Sequence, residues 1–187
     1  YFAVHFLSRG VDSWFDVKIE QALNDALLLG QTSLEATKED VIIRLQRNAA
    51  ELSGATSSFE IIQLLDELRV DGNFSEMSLH SLSGGVIASS SSEAISLVPS
   101  SPDDTVFNRI RQRKPYLQLE PMFDGGLQLR VAVPVIGVRM GDPLRLLQAL
   151  YSLPLRYARL GKSVESASDE YNRLKYLRQP LKLSFVF

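Results

Sequence analysis

The sequence predicts an α+β domain in which an antiparallel sheet sits between long helices at the two chain ends. Three observations carry this. Residues 8–52 and 142–187 place apolar side chains at spacings of three and four, the period of a helix. Between them the period shortens to two, in 77–82 and again in 116–120 and 127–133. Glycine turns, Ser83-Gly84-Gly85 and Asp124-Gly125-Gly126, join short runs in pairs. Such pairs are hairpins, and no strand–helix–strand repeat argues for a parallel sheet.

Taken in order, the first helix carries Phe15, Ile19, Ala22, Ala26, Leu29 and Ser33 on one stripe. Leu23, Leu27, Leu34, Val41 and Leu45 form a second stripe, so the helix should meet more than one neighbour. Thr37 to Asp40 marks an expected bend or restart, and Gly54 an expected end. Ser57-Ser58-Phe59-Glu60 fits a capping box that opens a short helix reaching Asp71-Gly72. A hairpin over 77–88 follows. The serine-rich stretch from Ser89 to Asp104 reads as loop, with Ile95 to Val98 as a short strand inside it. Asp104 or Thr105 is positioned to cap a helix through Phe107 and Ile110. The second hairpin is 116–133, where Pro121 and Pro134 mark strand ends, bulges or an edge. Asp142-Pro143 then predicts the start of the last helix, an N-cap acid before a first-turn proline. Its seam is Leu150, Leu153, Tyr157, Leu160, Val164, Ala167, Tyr171, Leu174 and Leu181, with Arg178 in one slot. The expected division is therefore a stalk helix over 1–55, an α/β core over 56–141 and a second stalk helix over 142–187.

Composition excludes several chemistries. With 187 residues, 45% of them hydrophobic, the chain can bury one substantial core. A net charge of −2 gives no basic face for nucleic acid, and the absence of cysteine removes disulfides, thiolate metal sites and cysteine nucleophiles. His5 and His80 stand too far apart for ligand spacing, so no metal or other cofactor is expected. The glycine pairs lie between strands instead of before a helix and read as turns, not phosphate loops. No serine has a base and an orienting acid in a recognisable arrangement. Apolar stubs at both ends, Tyr1 to Leu7 and Leu181 to Phe187, suggest flanking membrane spans.

Candidate binding residues come from one basic cluster and its surroundings. Arg109 and Arg111, followed by Arg113 and Lys114, precede Tyr116, and Arg130 interrupts an apolar strand across the hairpin. Guanidinium groups beside a tyrosine suit a carboxylate or other anion. The competing reading is a solvated basic helix face. His80 alternates with Leu79 and Leu82 and so points into a pocket or into solvent.

Two passages resemble a known family. Phe6-Leu7-Ser8-Arg9-Gly10-Val11-Asp12-Ser13-Trp14-Phe15-Asp16-Val17, with Glu20, Ala22 and Leu23, is similar to the segment after the first membrane span of NtrY-type sensor histidine kinases. Tyr176-Leu177-Arg178-Gln179-Pro180-Leu181-Lys182-Leu183-Ser184-Phe185 is similar to the segment leading into their second span, and Arg113 through Val131 matches in layout. The resemblance implies a Cache-like (extracellular PAS-like) sheet in the periplasmic sensor domain of an inner-membrane, dimeric kinase. It also implies a parent protein that phosphorylates an NtrX-type response regulator and is concerned with nitrogen regulation. The fragment itself would have no catalytic activity, since the kinase parts of that family lie elsewhere. The signal, small molecule or protein, is not implied.

The competing readings are a stand-alone helical scaffold and a small-ligand-binding protein without a kinase. For the sensor, the expected output is a shift of the terminal helices along a seam loosened at Gly161, Ala167 and Arg178.

Overall fold

The computed structural model describes residues 2–93 and 98–157, with side chains from Gln21 onward apart from Leu23 and Leu27. Two compact units divide the chain, residues 1–35 with 159–187 and residues 36–158. The sheet and its covering helices belong to the second. The expected pairing of Ala22 with Tyr171, the seam beyond Tyr157 and most of the short strand at Ile95 lie outside the described residues.

Helix α1 spans Phe2–Ser53 without the restart expected near Lys38. Within the second unit it buries Val41, Leu45, Ala49 and Leu52, an i, i+4, i+8, i+11 stripe. Gly54 closes it by donating to the Glu51 carbonyl. Ser57 caps the next helix as expected, its Oγ accepting from the Glu60 amide at 3.2 Å, while the Glu60 carboxylate reaches one residue past the cap to accept from the Thr56 amide. Helix α2, Ser58–Asp71, follows and buries Ile61, Leu65 and Leu68.

Five strands form one antiparallel sheet in the order β2-β1-β5-β4-β3, with β1 Glu76–Ser81, β2 Val86–Ser91, β3 Tyr116–Pro121, β4 Leu127–Val135 and β5 Arg145–Ser152. Both predicted hairpins are present. Gly84 and Gly125 take left-handed backbone angles at their turns, φ 98° and 84°, which a side chain would resist. Pro134 lies beyond the last β3 partner of β4, which is Ala132, so its missing amide is not needed there. Helix α3, Asp104–Arg111, is capped by Asp103, one residue before the expected cap.

The expectation of a helix starting at Asp142-Pro143 is corrected. Residues 145–152 are the central strand β5, hydrogen-bonded to β1 on one side and β4 on the other. Asp142 instead ties the β4–β5 loop, its carboxylate accepting the Arg139 amide at 2.9 Å. Leu146 to Leu150 are buried on both sides of the sheet, so the segment is a continuously buried run, apolar but for Gln148, that periodicity cannot separate from a helix. The sheet therefore extends past the expected core boundary at residue 141. Helical backbone returns only at 155–157. Among the described residues no helix is long and apolar enough to cross a membrane.

Candidate ligand site on the polar face of the sheet

Neighbouring residues on a strand point to opposite faces, so the register sorts every side chain. One face gathers Met77, Leu79, Leu129, Val131, Val133, Leu147 and Ala149, each at most 1% exposed. Helix α2 is tied to this side through Ser90, which donates to Asp66 at 2.6 Å and accepts from Arg69 at 2.7 Å. The Ser90 hydroxyl, with Arg69 behind it, holds the Asp66 carboxyl below its usual range. The Arg44 guanidinium of α1 lies 5.5 Å from the Tyr151 ring centre on the same face.

The other face carries Glu76, Ser78 and His80 from β1, Gln148 from β5, Arg130 from β4 and Glu120 from β3. At its edge, α3 packs Val106, Phe107 and Ile110 over Ala132 and Leu146, with Tyr116 and Leu82 against them. The remainder is polar and enclosed: Ser78, His80 and Gln148 are at most 1% exposed. Buried polar groups on this scale persist only when partnered.

Most of the partners are identifiable. Arg130 forks onto Glu120, Nε to Oε1 at 2.6 Å and Nη2 to Oε2 at 3.2 Å. Its Nη1 donates to Gln148 Oε1 at 3.1 Å, and Nη2 also reaches Ser100 Oγ at 2.9 Å. Gln128 adds a second donor to Glu120. His80 Nε2 meets Ser78 Oγ at 2.8 Å, while its Nδ1 is buried without a protein partner. Burial without a carboxylate in contact pushes the His80 imidazole below its ordinary pKa, so the ring is neutral here at pH 7. Burial, with Asp103 and Glu120 nearby, raises the Tyr116 hydroxyl, which pairs with the Gln118 side chain.

The sequence-predicted site residues separate into two groups. Arg130, His80 and Tyr116 share the polar face. Arg109 and Arg111 do not join them: Arg109 Nε donates to the Pro115 carbonyl, and Arg111 to Asn108 and the Leu82 carbonyl, both exposed. They fasten the α3–β3 turn, where Arg113 takes a left-handed φ of 57°. Glu76, Ser78, Gln148, Glu120 and Ser100 were not singled out. The alternation of β1 already placed Glu76 and Ser78 beside His80, whereas Gln148 was hidden by the helical reading of β5. Among the described residues no group of three or more His, Asp or Glu is placed to hold a metal ion. A separate cavity of about 500 Å³ carries Arg139 and Arg145 between the α1–α2 turn and the β4–β5 loop, but every residue lining it is at least partly exposed.

No family model matches the chain, and no curated protein matches it. Solved structures do. The ligand-binding domain of the Pseudomonas aeruginosa amino acid chemoreceptor PctC, in complex with GABA, superposes with a TM-score of 0.55 at 15% identity, covering 72% of this chain and 62% of that one. The sensory domain of the Campylobacter jejuni chemoreceptor Tlp3 gives 0.51 at 14% identity, over 71% and 61%. The same domain with isoleucine bound gives 0.51 at 13%, over 75% and 63%. The fold is Cache-like. This chain spans a little over three-fifths of the length of those domains. In the Cache-like frame, the Arg130 cluster lies beside α3 on one face of the sheet, opposite the face that meets α2.

Proposed function

We propose that this chain is the signal-input domain of a membrane-bound sensor on the periplasmic side of a bacterial inner membrane, with the polar sheet face as its ligand site. The observation that carries the reading is a cluster of buried Glu76, Ser78, His80 and Gln148 with half-buried Arg130 on a Cache-like sheet. A fold that needed only stability would fill those positions with apolar side chains, as the opposite face does.

The chemistry of the face narrows the ligand. Glu120 already neutralises Arg130, and Glu76 adds a second carboxylate with no cation bonded to it among the described residues. A simple anion, which the basic cluster in the sequence suggested, would meet surplus negative charge. A small zwitterion fits better, its ammonium toward Glu76 and its carboxylate toward Arg130 and Gln148. GABA and isoleucine, the ligands of two Cache-like neighbours, are both of this class.

Titration calorimetry of the chain with GABA, isoleucine and succinate tests this. An amino acid should bind where succinate does not, and Gln148→Ala should weaken it at least tenfold. Preference for succinate would overturn the zwitterion assignment. The resemblance to NtrY-type kinases further supports a homodimeric parent kinase signalling to an NtrX-type regulator. In that parent, Gln148→Ala should abolish the response of autophosphorylation to the ligand.

A further inference from the structure

Residues 98–103 cross the polar face as a strap, and one residue of it, Ser100, uses every polar group it has. Its amide donates to Glu76 Oε1 at 2.7 Å. Its carbonyl accepts from Gln148 Nε2 at 2.7 Å. Its hydroxyl accepts from Arg130 Nη2 at 2.9 Å. The three partners come from β1, β5 and β4, and two of them, Glu76 and Gln148, are buried. The strap is anchored at its far end, where Pro102 is buried and Asp103 Oδ1 accepts the Val106 amide to cap α3.

A donor held by Glu76 and acceptors held by Gln148 and Arg130 are the complement of a small zwitterion. Here a residue of the chain supplies that complement. We propose that Ser100 is a built-in occupant of the ligand site, so that the face is closed at rest and a stimulus acts by displacing the strap. The inference rests on the polar face being the ligand site. Without an occupant, the buried Glu76 and Gln148 would lose partners, which is costly. The strap and a ligand therefore compete for the same groups. The apparent affinity of the ligand is reduced by the fraction of molecules with the strap released.

Two measurements on the whole chain test it. In the free protein, hydrogen exchange by NMR should show the Ser100 amide protected at least tenfold relative to Ser101. Equal rates would mean that the strap is not latched and would overturn the proposal. Ser100→Pro removes both the amide and the hydroxyl, and should bind GABA or isoleucine at least tenfold more tightly than the parent sequence. Ser100→Ala, which removes only the hydroxyl contact, should shift affinity the same way by less and serves if the proline variant does not fold. Weaker or unchanged binding in these variants would overturn the proposal, since the strap would then be part of the ligand cage or irrelevant to it. If neither amino acid binds any form while Ser100 stays protected, the zwitterion reading fails and the latch stands.

Discussion

The two faces of this sheet come from the same strands, but they have opposite chemistry, and the polar one is less completely enclosed. On the α2 side, Met77, Leu79, Leu129, Val131, Val133, Leu147 and Ala149 exclude water from a continuous apolar layer. On the strap side, Glu76, Ser78, His80, Gln148 and Arg130 are enclosed by partnering one another and Ser100. The apolar layer is stabilised by area and packing and tolerates no water. The polar layer gains little net stability from its hydrogen bonds, yet each group is expensive to leave unmet. One face holds the domain together. The other depends on what occupies it, which suits a surface whose occupant can be exchanged.

Perturbing each face sharpens the contrast. The largest effect should come from the apolar side. Leu147→Ala, at a fully buried position in the central strand, should cost about 2–5 kcal/mol in denaturant unfolding. A loss below 1 kcal/mol would mean that the layer is less tightly packed than its burial indicates. On the polar side, Arg130→Met should cost about 1–3 kcal/mol by stranding Glu120 and Gln148. Adding Glu120→Gln should recover part of that loss, because the stranded charge is removed with its partner. No recovery would show that Arg130 acts through packing alone.

The smallest effect concerns pH. The folded chain holds His80 below its ordinary pKa of 6.5, so the unfolded chain takes up the proton first as pH falls. The stability contributed by the neutral ring is complete above about 6.5 and is lost between there and the lower folded value. Unfolding measured at pH 7.5 and pH 5 should therefore show an acid-side loss that shrinks in His80→Gln. An unchanged pH profile in that variant would assign the acid sensitivity to carboxylates.

Much of the fold could be read in the residues, because local rules governed it. The Ser57 cap, the Gly84 and Gly125 turns and the twofold alternation in β1 and β4 each needed only neighbours in sequence. The reading failed at β5, where burial on both faces erased the alternation that marks a strand, and Asp142-Pro143 imitated a helix start. That failure also limited the site. Arg130 and His80 stand out in the sequence because a charge or a polar ring interrupts an apolar pattern, and Tyr116 because it follows the basic cluster. Arg109 and Arg111 were drawn in by charge alone, although their spacing on α3 directs them to the Pro115 and Leu82 carbonyls. Ser100 carried no signal, since its role depends on partners from three strands and lies partly in its backbone.

The central place of β5 has a consequence for how the domain assembles. The two hairpins, β1–β2 and β3–β4, have no strand pairing with each other, and β5 joins them. Ser75 bonds to the Leu150 carbonyl across 75 positions of chain. During synthesis the four strands that precede β5 must therefore wait as two separate ribbons, each with an unmatched edge. Only when the segment around Gln148 emerges can it insert between them and complete the sheet. Closure of long loops of this kind is slow relative to hairpin formation. The strand that delivers Gln148 to Ser100 is thus also the last to arrive, so the latched face cannot form on a chain whose sheet is incomplete.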